Sequence, residues 1–288
     1  MVSVSSTEVF CMALAPENFT LANYHAHTTR CQHARGTEEE YVLQAIETGF
    51  EILGFADHSA WPYRSDFVAN MRMRLDELDG YVETVRALKE KYAGRIRIHL
   101  GMECEAFPEF YPWLREIRAK MGFDYFILGN HYDTNDETGG FYFGRCANHA
   151  QIRRYMETTI AGMESGLFLY LAHPDLFLHR YPAFDAEAKR VCRALCEAAL
   201  RLDMPLEYNL LGHRRNPGAR SQGYVGYTSR EFWEVAAETG NRAIIGVDAH
   251  APEDLDADCA ETYRRVRGML QSMGVEVLDV MDSVEQTR

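Results

Sequence analysis

The sequence has few of the features that insert a protein into a membrane or direct it to secretion. None of its apolar runs approaches the ~20 residues that a membrane span requires. The first twenty residues lack the basic start, apolar centre and small-residue cleavage site of a secretory signal. The seven cysteines are odd in number and show no Cys-x-x-Cys spacing, which favours reduced thiols over a disulfide framework. We therefore expect a soluble, cytoplasmic protein.

Positive charge is also scarce. The chain carries 30 Lys and Arg against 43 Asp and Glu, for a net charge of −13. Such a surface repels polyanions, and the chain has no basic strip with interleaved aromatic residues, so extended nucleic acid is not expected as the main partner. A small anionic substrate remains compatible, because bound metal ions make a cleft locally positive.

The order of elements predicts one α/β barrel. With 288 residues and 47% apolar content, the chain can bury a large core. The predicted strands are Asn23–Thr28, Glu51–Ala56, Arg95–Gly101, Asp124–Leu128, Leu167–Ala172, Pro205–Asn209 and Arg242–Val247, with a short addition at Val275–Val280. The predicted helices are Thr37–Thr48, Leu75–Tyr92, Tyr111–Met121, Ala150–Glu164, Ala186–Leu202, Arg230–Thr239 and Pro252–Met273.

These segments form seven β/α units without a change in composition between them. Alternating units build a parallel sheet covered by helices. We expect a single domain over residues 1–288, with a core of about residues 20–280 and a short N-terminal extension, residues 1–19. The predicted loops include 133–144 and 210–227.

Histidines and carboxylates gather at the ends of the predicted strands. His25 and His27 lie two residues apart, so on a strand their side chains point to the same side. A single His-x-His is a weak signal, and taken alone it is better explained by an exposed histidine pair on an edge strand. Its repetition at successive strand ends favours a metal site, because (β/α) barrels hold their active sites at the carboxyl ends of the strands. The candidate ligands are His25, His27, His33, His58, Glu103, His131, His173, Asp248 and His250.

The types of these residues narrow the choice of metal. Imidazole and carboxylate ligands without thiolates suit Zn²⁺, Mn²⁺ or Fe²⁺, and the sequence does not choose among them. Glu105 shares a strand face with Glu103 and is the alternative carboxylate ligand, although Glu103 lies closer to the strand end. Asp57 is interpreted as an acceptor that orients a ligand imidazole.

Seven motifs carry a family resemblance. They are HAHTTRCQHARGTEEEYVLQA, GFADHS, GMECEA, LGNHYD, LAHPDLF, EYNLLGHR and GVDAHAPEDL. In this order, and across nearly the whole chain, they resemble the PHP (polymerase and histidinol phosphatase) family, and within it the histidinol-phosphatase branch. The resemblance implies a distorted (β/α)7 barrel with three divalent metal ions.

The resemblance also implies a division of the ligands among the metals. His25, His27 and Asp248 would bind the first metal, Glu103 would bridge the first and second, His131 and His173 would complete the second, and His33, His58 and His250 would hold the third. Such a cluster generates hydroxide near neutral pH and neutralises charge on a phosphoryl group, which is the chemistry of phosphoester hydrolysis.

Substrate contacts are less clearly marked in the sequence. Arg214 matches the arginine that follows Asn-x-x-Gly in the branch, and a solvated loop arginine is the alternative reading. Arg145 is a second candidate, and His179 and His213 lie on loops near the rim. The proton for the leaving alcohol would come from Asp248 or from a metal-bound water.

The expected function is a metal-dependent phosphomonoesterase acting on a small phosphorylated metabolite, with L-histidinol phosphate as the best candidate. The chain departs from the branch pattern Glu-x-Asn-Thr-Ala/Ser-Gly-Leu-Arg at Leu210, Leu211 and His213, where the alcohol would bind. Two alternatives stay open. They are a phosphodiesterase or exonuclease acting on short nucleotides, and a non-catalytic, metal-stabilised domain. The oligomeric state is left open.

Overall fold

Parallel strands form the centre of the molecule. The computed structural model describes residues 19–285, so the predicted N-terminal extension lies almost wholly outside the described residues. The strands are β1 (Ala22–Asn23), β2 (Ile52–His58), β3 (Arg97–Cys104), β4 (Tyr125–Leu128), β5 (Leu206–Asn209), β6 (Arg242–Gly246) and β7 (Glu276–Val277). One sheet has the order β1-β2-β3-β4 and the other β5-β6-β7, and every strand pair is parallel.

Three isolated backbone bridges link the sheets at two places. Leu171 pairs with Leu128 of β4 and with Leu206 of β5, and Ala26 pairs with Ala249. The predicted strand Leu167–Ala172 therefore contributes one bridging residue rather than a regular strand, because bends at 169, 170 and 172 interrupt its ladder. The predicted first strand is likewise reduced to β1 and the bridge at Ala26. The α/β fold with a curled parallel sheet is confirmed.

Helices separate most of the strands. They are α1 (Glu38–Thr48), α2 (Leu78–Lys91), α3 (Tyr111–Met121), α4 (His149–Glu164), α5 (Ala186–Arg201), α6 (Leu210–Ser221), α7 (Arg230–Thr239), α8 (Ala257–Ser272) and α9 (Asp282–Glu285). Within residues 19–285, no helix combines the length and hydropathy of a membrane span.

The helix α6 corrects the sequence prediction of a loop over 210–227. Gly212, Pro217 and Gly218 are loop-forming residues, but the side chain of Asn209 caps the helix by accepting a hydrogen bond of 2.7 Å from the Gly212 amide. Leu210 at its start is fully buried. A local cap and tertiary packing therefore outweigh the low helix propensity of this segment.

Two glycines make room for a tyrosine between the strands. Tyr125 is buried, and its hydroxyl donates a hydrogen bond of 2.7 Å to the carbonyl of Tyr24. A Cβ atom at Gly101 would lie 2.5 Å from Tyr125 Cζ, and one at Gly54 would overlap the Tyr125 hydroxyl. The absence of side chains at these positions lets the ring cross the interior below the strand ends.

Replacing Gly101 by alanine tests this packing. We expect Gly101→Ala to lower the free energy of unfolding by about 1–3 kcal/mol, since the ring must shift. Gly80→Ala is the matched control, because Gly80 lies exposed in α2 with no atom within 4 Å of the added Cβ. It should raise stability by about 0.5–1 kcal/mol. Urea unfolding measures both, and a Gly101→Ala protein as stable as the parent would contradict the packing argument.

Candidate metal centre

The nine predicted ligands lie together at the carboxyl ends of the strands. His58 is the last residue of β2, and its parallel register partner is Glu103 on β3. His25 and His27 follow β1, Asp248 and His250 follow β6, His131 follows β4, His173 follows the Leu171 bridge and His33 follows a short turn. The observed strands β2 and β3 run further than predicted, so His58 and Glu103 lie on the strands themselves.

Glu103 stands at the centre of the cluster. Its side chain is 1% exposed, and its two carboxylate oxygens face different groups of imidazoles. Oε1 lies 2.7 Å from Nε2 of His173 and 3.6 Å from Nε2 of His131, whereas Oε2 lies 2.9 Å from Nδ1 of His58, 3.5 Å from Nε2 of His25 and 3.6 Å from Nε2 of His27. Glu103 could therefore contribute one oxygen to each of two neighbouring cation sites.

Asp248 completes a second group of donors. Its Oδ1 lies 3.1 Å from Nε2 of His27 and 3.6 Å from Nε2 of His25. The two imidazole nitrogens are themselves 3.1 Å apart. Donor atoms this close together on three buried residues could hold one metal ion.

The remaining histidines form a third, more exposed group. Nε2 of His33 lies 3.0 Å from Nε2 of His250. His27, His58 and His250 also offer nitrogens close enough for one ion. Cys31 lies within reach of His33 and His250, but burial raises the pKa of its thiol, which disfavours the thiolate that binds metals.

Buried carboxylates orient the ligand imidazoles. Glu207, which sequence reasoning missed, has Oε1 2.7 Å from Nδ1 of His25, and its Oε2 accepts a hydrogen bond of 3.0 Å from the His173 amide. Asp57 lies 3.5 Å from Nδ1 of His27, a nitrogen without a hydrogen bond of suitable geometry, and its Oδ1 instead accepts a hydrogen bond of 2.8 Å from the His58 amide. Glu207 lies two residues before Asn209 on β5, so both side chains point to the same side of the strand. This spacing was the signal available in the sequence.

Glu105 is also an orienting group rather than a solvated one. It is fully buried, with Oε1 2.8 Å from Nδ1 of His131 and Oε2 accepting a hydrogen bond of 2.6 Å from the His131 amide. A carboxylate at Nδ1 leaves Nε2 of the imidazole available as a ligand atom.

The cluster keeps its carboxylates ionised, and these carboxylates in turn overcome the effect of burial and raise the pKa values of His25 and His27, the latter to about 9. Burial opposes ionisation of Glu103, but the charges of His131, His58 and His25 hold its pKa well below the usual range. Burial likewise opposes ionisation of Asp248, while His25 and His27 hold its pKa low. Ionised carboxylates beside imidazoles favour cation binding.

Other imidazoles in the cluster are kept neutral. Burial lowers the pKa of His58 well below its usual range, and burial together with the charge of His27 lowers the pKa of His250 to about 3. Oε2 of Glu103 is buried without a hydrogen-bond donor of suitable geometry. A neutral imidazole can donate a lone pair to a cation, and a buried carboxylate oxygen without a hydrogen-bond donor can bind the same ion. The residues present therefore fit a cluster of divalent metal ions.

Two of these residues adopt strained backbone conformations. His173 has a φ of 30° and Asp248 a φ of 54°, in the left-handed region that non-glycine residues rarely occupy. Such conformations persist where the surrounding structure enforces them, and they concentrate at functional sites. Both residues directly follow segments that carry backbone bridges or strand pairing.

A cavity of about 590 Å³ opens over the cluster. Arg145 and Arg215 are the arginines of the described chain that line it, together with Leu211, Tyr142 and Tyr227 among others. A smaller cavity of about 340 Å³ is lined by His179, Arg180, Arg214 and Arg215 among others.

Three of the four predicted substrate contacts line one of these cavities, and His213 lines neither. Arg145 lines the large cavity, whereas Arg214 and His179 lie on the smaller one, and Arg214 donates a hydrogen bond of 3.2 Å to Asp254. Nδ1 of His213 lies 2.9 Å from the hydroxyl of Tyr208. Sequence reasoning missed Arg215, because in a helix adjacent side chains point about 100° apart and this segment was predicted to be a loop.

Several known proteins are similar to this chain in sequence or in fold. A "Probable histidinol-phosphatase" of Deinococcus radiodurans is 28% identical over 259 residues, covering 86% of this chain and 93% of that protein. The histidinol-phosphatase of Bacillus subtilis is 24% identical over 258 residues, covering 80% and 94%. The structure of a histidinol phosphate phosphatase from Lactococcus lactis, solved with zinc, L-histidinol and phosphate, superimposes with a TM-score of 0.65 at 19% identity, covering 90% and 95%.

The match to a family model covers the first part of the described chain. The PHP domain model aligns with residues 23–211, which contain seven of the nine clustered ligands. Asp248 and His250 lie beyond the match but join the same cluster in the structure. Since the matched region spans more than half of the sequence, the chain belongs to the PHP family.

Proposed function

We propose that the protein is a metal-dependent phosphomonoesterase that hydrolyses L-histidinol phosphate to L-histidinol and phosphate. The observation that carries the proposal is the buried Glu103 carboxylate, whose two oxygens face separate groups of imidazoles beneath a cavity that contains two arginines. The relatives named as histidinol phosphatases, and the zinc, L-histidinol and phosphate bound to one of them, favour the same substrate.

Three divalent ions, Zn²⁺, Mn²⁺ or Fe²⁺, are proposed for the cluster. His25, His27 and Asp248 would hold the first, His131 and His173 the second, and His33, His58 and His250 the third, with Glu103 between the first and second. When bound, such ions supply hydroxide near neutral pH and neutralise charge on the phosphoryl group. The ligand Asp248 is held by Asn209, which donates a hydrogen bond of 3.0 Å to its Oδ2.

Arg215 and Arg145 are proposed to bind the phosphate. Both line the cavity over the cluster, and a guanidinium group matches phosphate oxygens with two parallel donors. Arg214 supports the site differently. It pairs with Oδ1 of Asp254, while Oδ2 of Asp254 accepts a hydrogen bond of 2.8 Å from the His250 amide. Through Asp254, Arg214 thus holds the loop that carries His250, a proposed metal ligand.

The proposal extends to the full architecture. Leu171 and Ala26, which bridge the two sheets, would complete a distorted (β/α)7 barrel, with residues 20–280 as its core. In such a barrel the cluster occupies the carboxyl-end rim, where these enzymes bind substrates.

A substrate comparison tests the function. With Zn²⁺ or Mn²⁺ supplied, we expect phosphate release from histidinol phosphate at a kcat/KM well above that for an aryl phosphate, and little hydrolysis of an aryl phosphodiester. Preference for the diester would favour a phosphodiesterase instead. No turnover of any of them by metal-loaded protein would favour a metal-stabilised, non-catalytic domain.

Removing one ligand should separate catalysis from folding. His173→Ala is expected to abolish phosphate release and to lower metal content, while circular dichroism stays that of the parent, because its imidazole faces Glu103 and the neighbouring histidines at the strand ends. His149→Ala is the control, since His149 is 53% exposed and pairs with Asp185 at the surface. Parental activity in His173→Ala would remove this residue from the metal set.

The two adjacent arginines should differ in their effect on substrate binding. Arg215→Ala is expected to lower kcat/KM about ten- to hundredfold, mainly through KM, because a charged hydrogen bond of about 1.5–3 kcal/mol is lost. Arg214→Ala should change KM less, since its guanidinium pairs with Asp254. Steady-state kinetics with histidinol phosphate measures both, and a larger KM effect for Arg214→Ala would reverse the assignment.

A further inference from the structure

A buried arginine lies behind the metal centre. Arg72 belongs to the segment 59–77 between β2 and α2, and its side chain is 1% exposed. A fully buried guanidinium is costly unless carboxylates pair with it. We propose that Arg72 is a positioning residue for the metal centre, acting through Glu105 to fix the ligand imidazole of His131. The inference rests on the proposed metal-dependent function.

Two carboxylates and two aromatic rings surround the guanidinium group of Arg72. Nη2 donates a hydrogen bond of 2.7 Å to Oε1 of Glu105, and Nε donates one of 2.8 Å to Oδ2 of Asp136. The ring centroids of Phe107 and Tyr132 lie 5.8 Å and 5.6 Å from Arg72 Cζ. A planar, delocalised cation can satisfy two carboxylates and pack against aromatic rings at once, which a lysine ammonium cannot do.

Glu105 transmits this constraint to a ligand. The oxygen that accepts from Arg72 is also 2.8 Å from Nδ1 of His131, and the other oxygen accepts hydrogen bonds from the amides of His131 and Tyr132, at 2.6 Å and 3.2 Å. The carboxylate therefore fixes both the ring and the backbone of His131. Because this carboxylate is fully buried, it needs a cationic partner, and the Arg72 guanidinium at 2.7 Å supplies one.

Arg72 also ties the metal centre to the cavity wall. Asp136, its second partner, lies in the loop 133–145, which contributes Gly140, Phe141 and Arg145 to the cavity. The carbonyl of Arg72 accepts a hydrogen bond of 2.9 Å from Gln32, next to the ligand His33. One side chain thus links a metal ligand with the loop that carries a proposed phosphate contact.

Metal retention tests the inference without substrate. The holoenzyme, loaded with Zn²⁺, is titrated with a chelator, and bound metal is measured by elemental analysis. We expect Arg72→Met to lose one ion per chain at ten- to hundredfold lower chelator concentration than the parent, the usual range for removing a group that orients a metal ligand. Arg74→Met is the matched control, because Arg74 lies on the same segment but is exposed and pairs with Asp76.

A double-mutant cycle distinguishes positioning from a merely structural role. If Arg72 acts through Glu105, the effects of Arg72→Met and Glu105→Gln on the affinity for this ion should be strongly non-additive. Additive effects, or parental metal retention in Arg72→Met, would overturn the inference. Should Arg72→Met fail to fold, Glu105→Gln alone must release the same ion, and full retention would overturn the inference as well.

Metal retention also separates this inference from the proposed function. If the parent does not hydrolyse histidinol phosphate but Arg72→Met still loses one ion, the role of Arg72 is supported and the proposed function is contradicted. If the parent is active and Arg72→Met keeps every ion, the function is supported and the role of Arg72 is contradicted.

Discussion

The site depends on one buried carboxylate surrounded by imidazoles. Glu103 is 1% exposed, and a negative charge taken out of water at this depth is stable only where positive charge or hydrogen-bond donors surround it. Imidazoles approach both of its oxygens, and bound cations would compensate the same charge. The parallel register that pairs His58 with Glu103 supplies the first of these contacts directly from the sheet.

The surrounding structure gives this carboxylate its space and its orientation. A Cβ atom at Gly129, at the end of β4, would overlap the carboxylate of Glu103, and one at Gly246 would overlap that of Glu207. Glycine at these positions lets acidic side chains lie flat across the strand ends. Glu207 and Glu105 then orient His25 and His131, so three buried carboxylates act together in one site.

The cavity above the cluster is lined by the two arginines that we propose as phosphate contacts. Arg145 and Arg215 bring positive charge to a chain whose net charge is −13, so the attraction for an anionic substrate is local rather than general. Leu211 and Tyr227 lie in the same wall, where they would give the alcohol of the proposed substrate apolar surface. Leu211 is also a position at which the chain departs from the branch pattern.

The sequence by itself predicted most of the element order and the nine donor residues that the structure brings together. Period-two and helical patterns are local, and parallel strands carry their carboxyl ends to one side, so His25, Glu103 and Asp248 could be expected to meet. The sequence did not show which carboxylates orient the ligands, because Glu207 and Glu105 owe their roles to partners far away in the chain. It also did not distinguish Arg215 from Arg214. Only the tertiary structure decided this. The Asn209 cap and the burial of Leu210 make that segment a helix and fix how it is rotated about its axis. This orientation directs Arg215 to the cavity and Arg214 to Asp254.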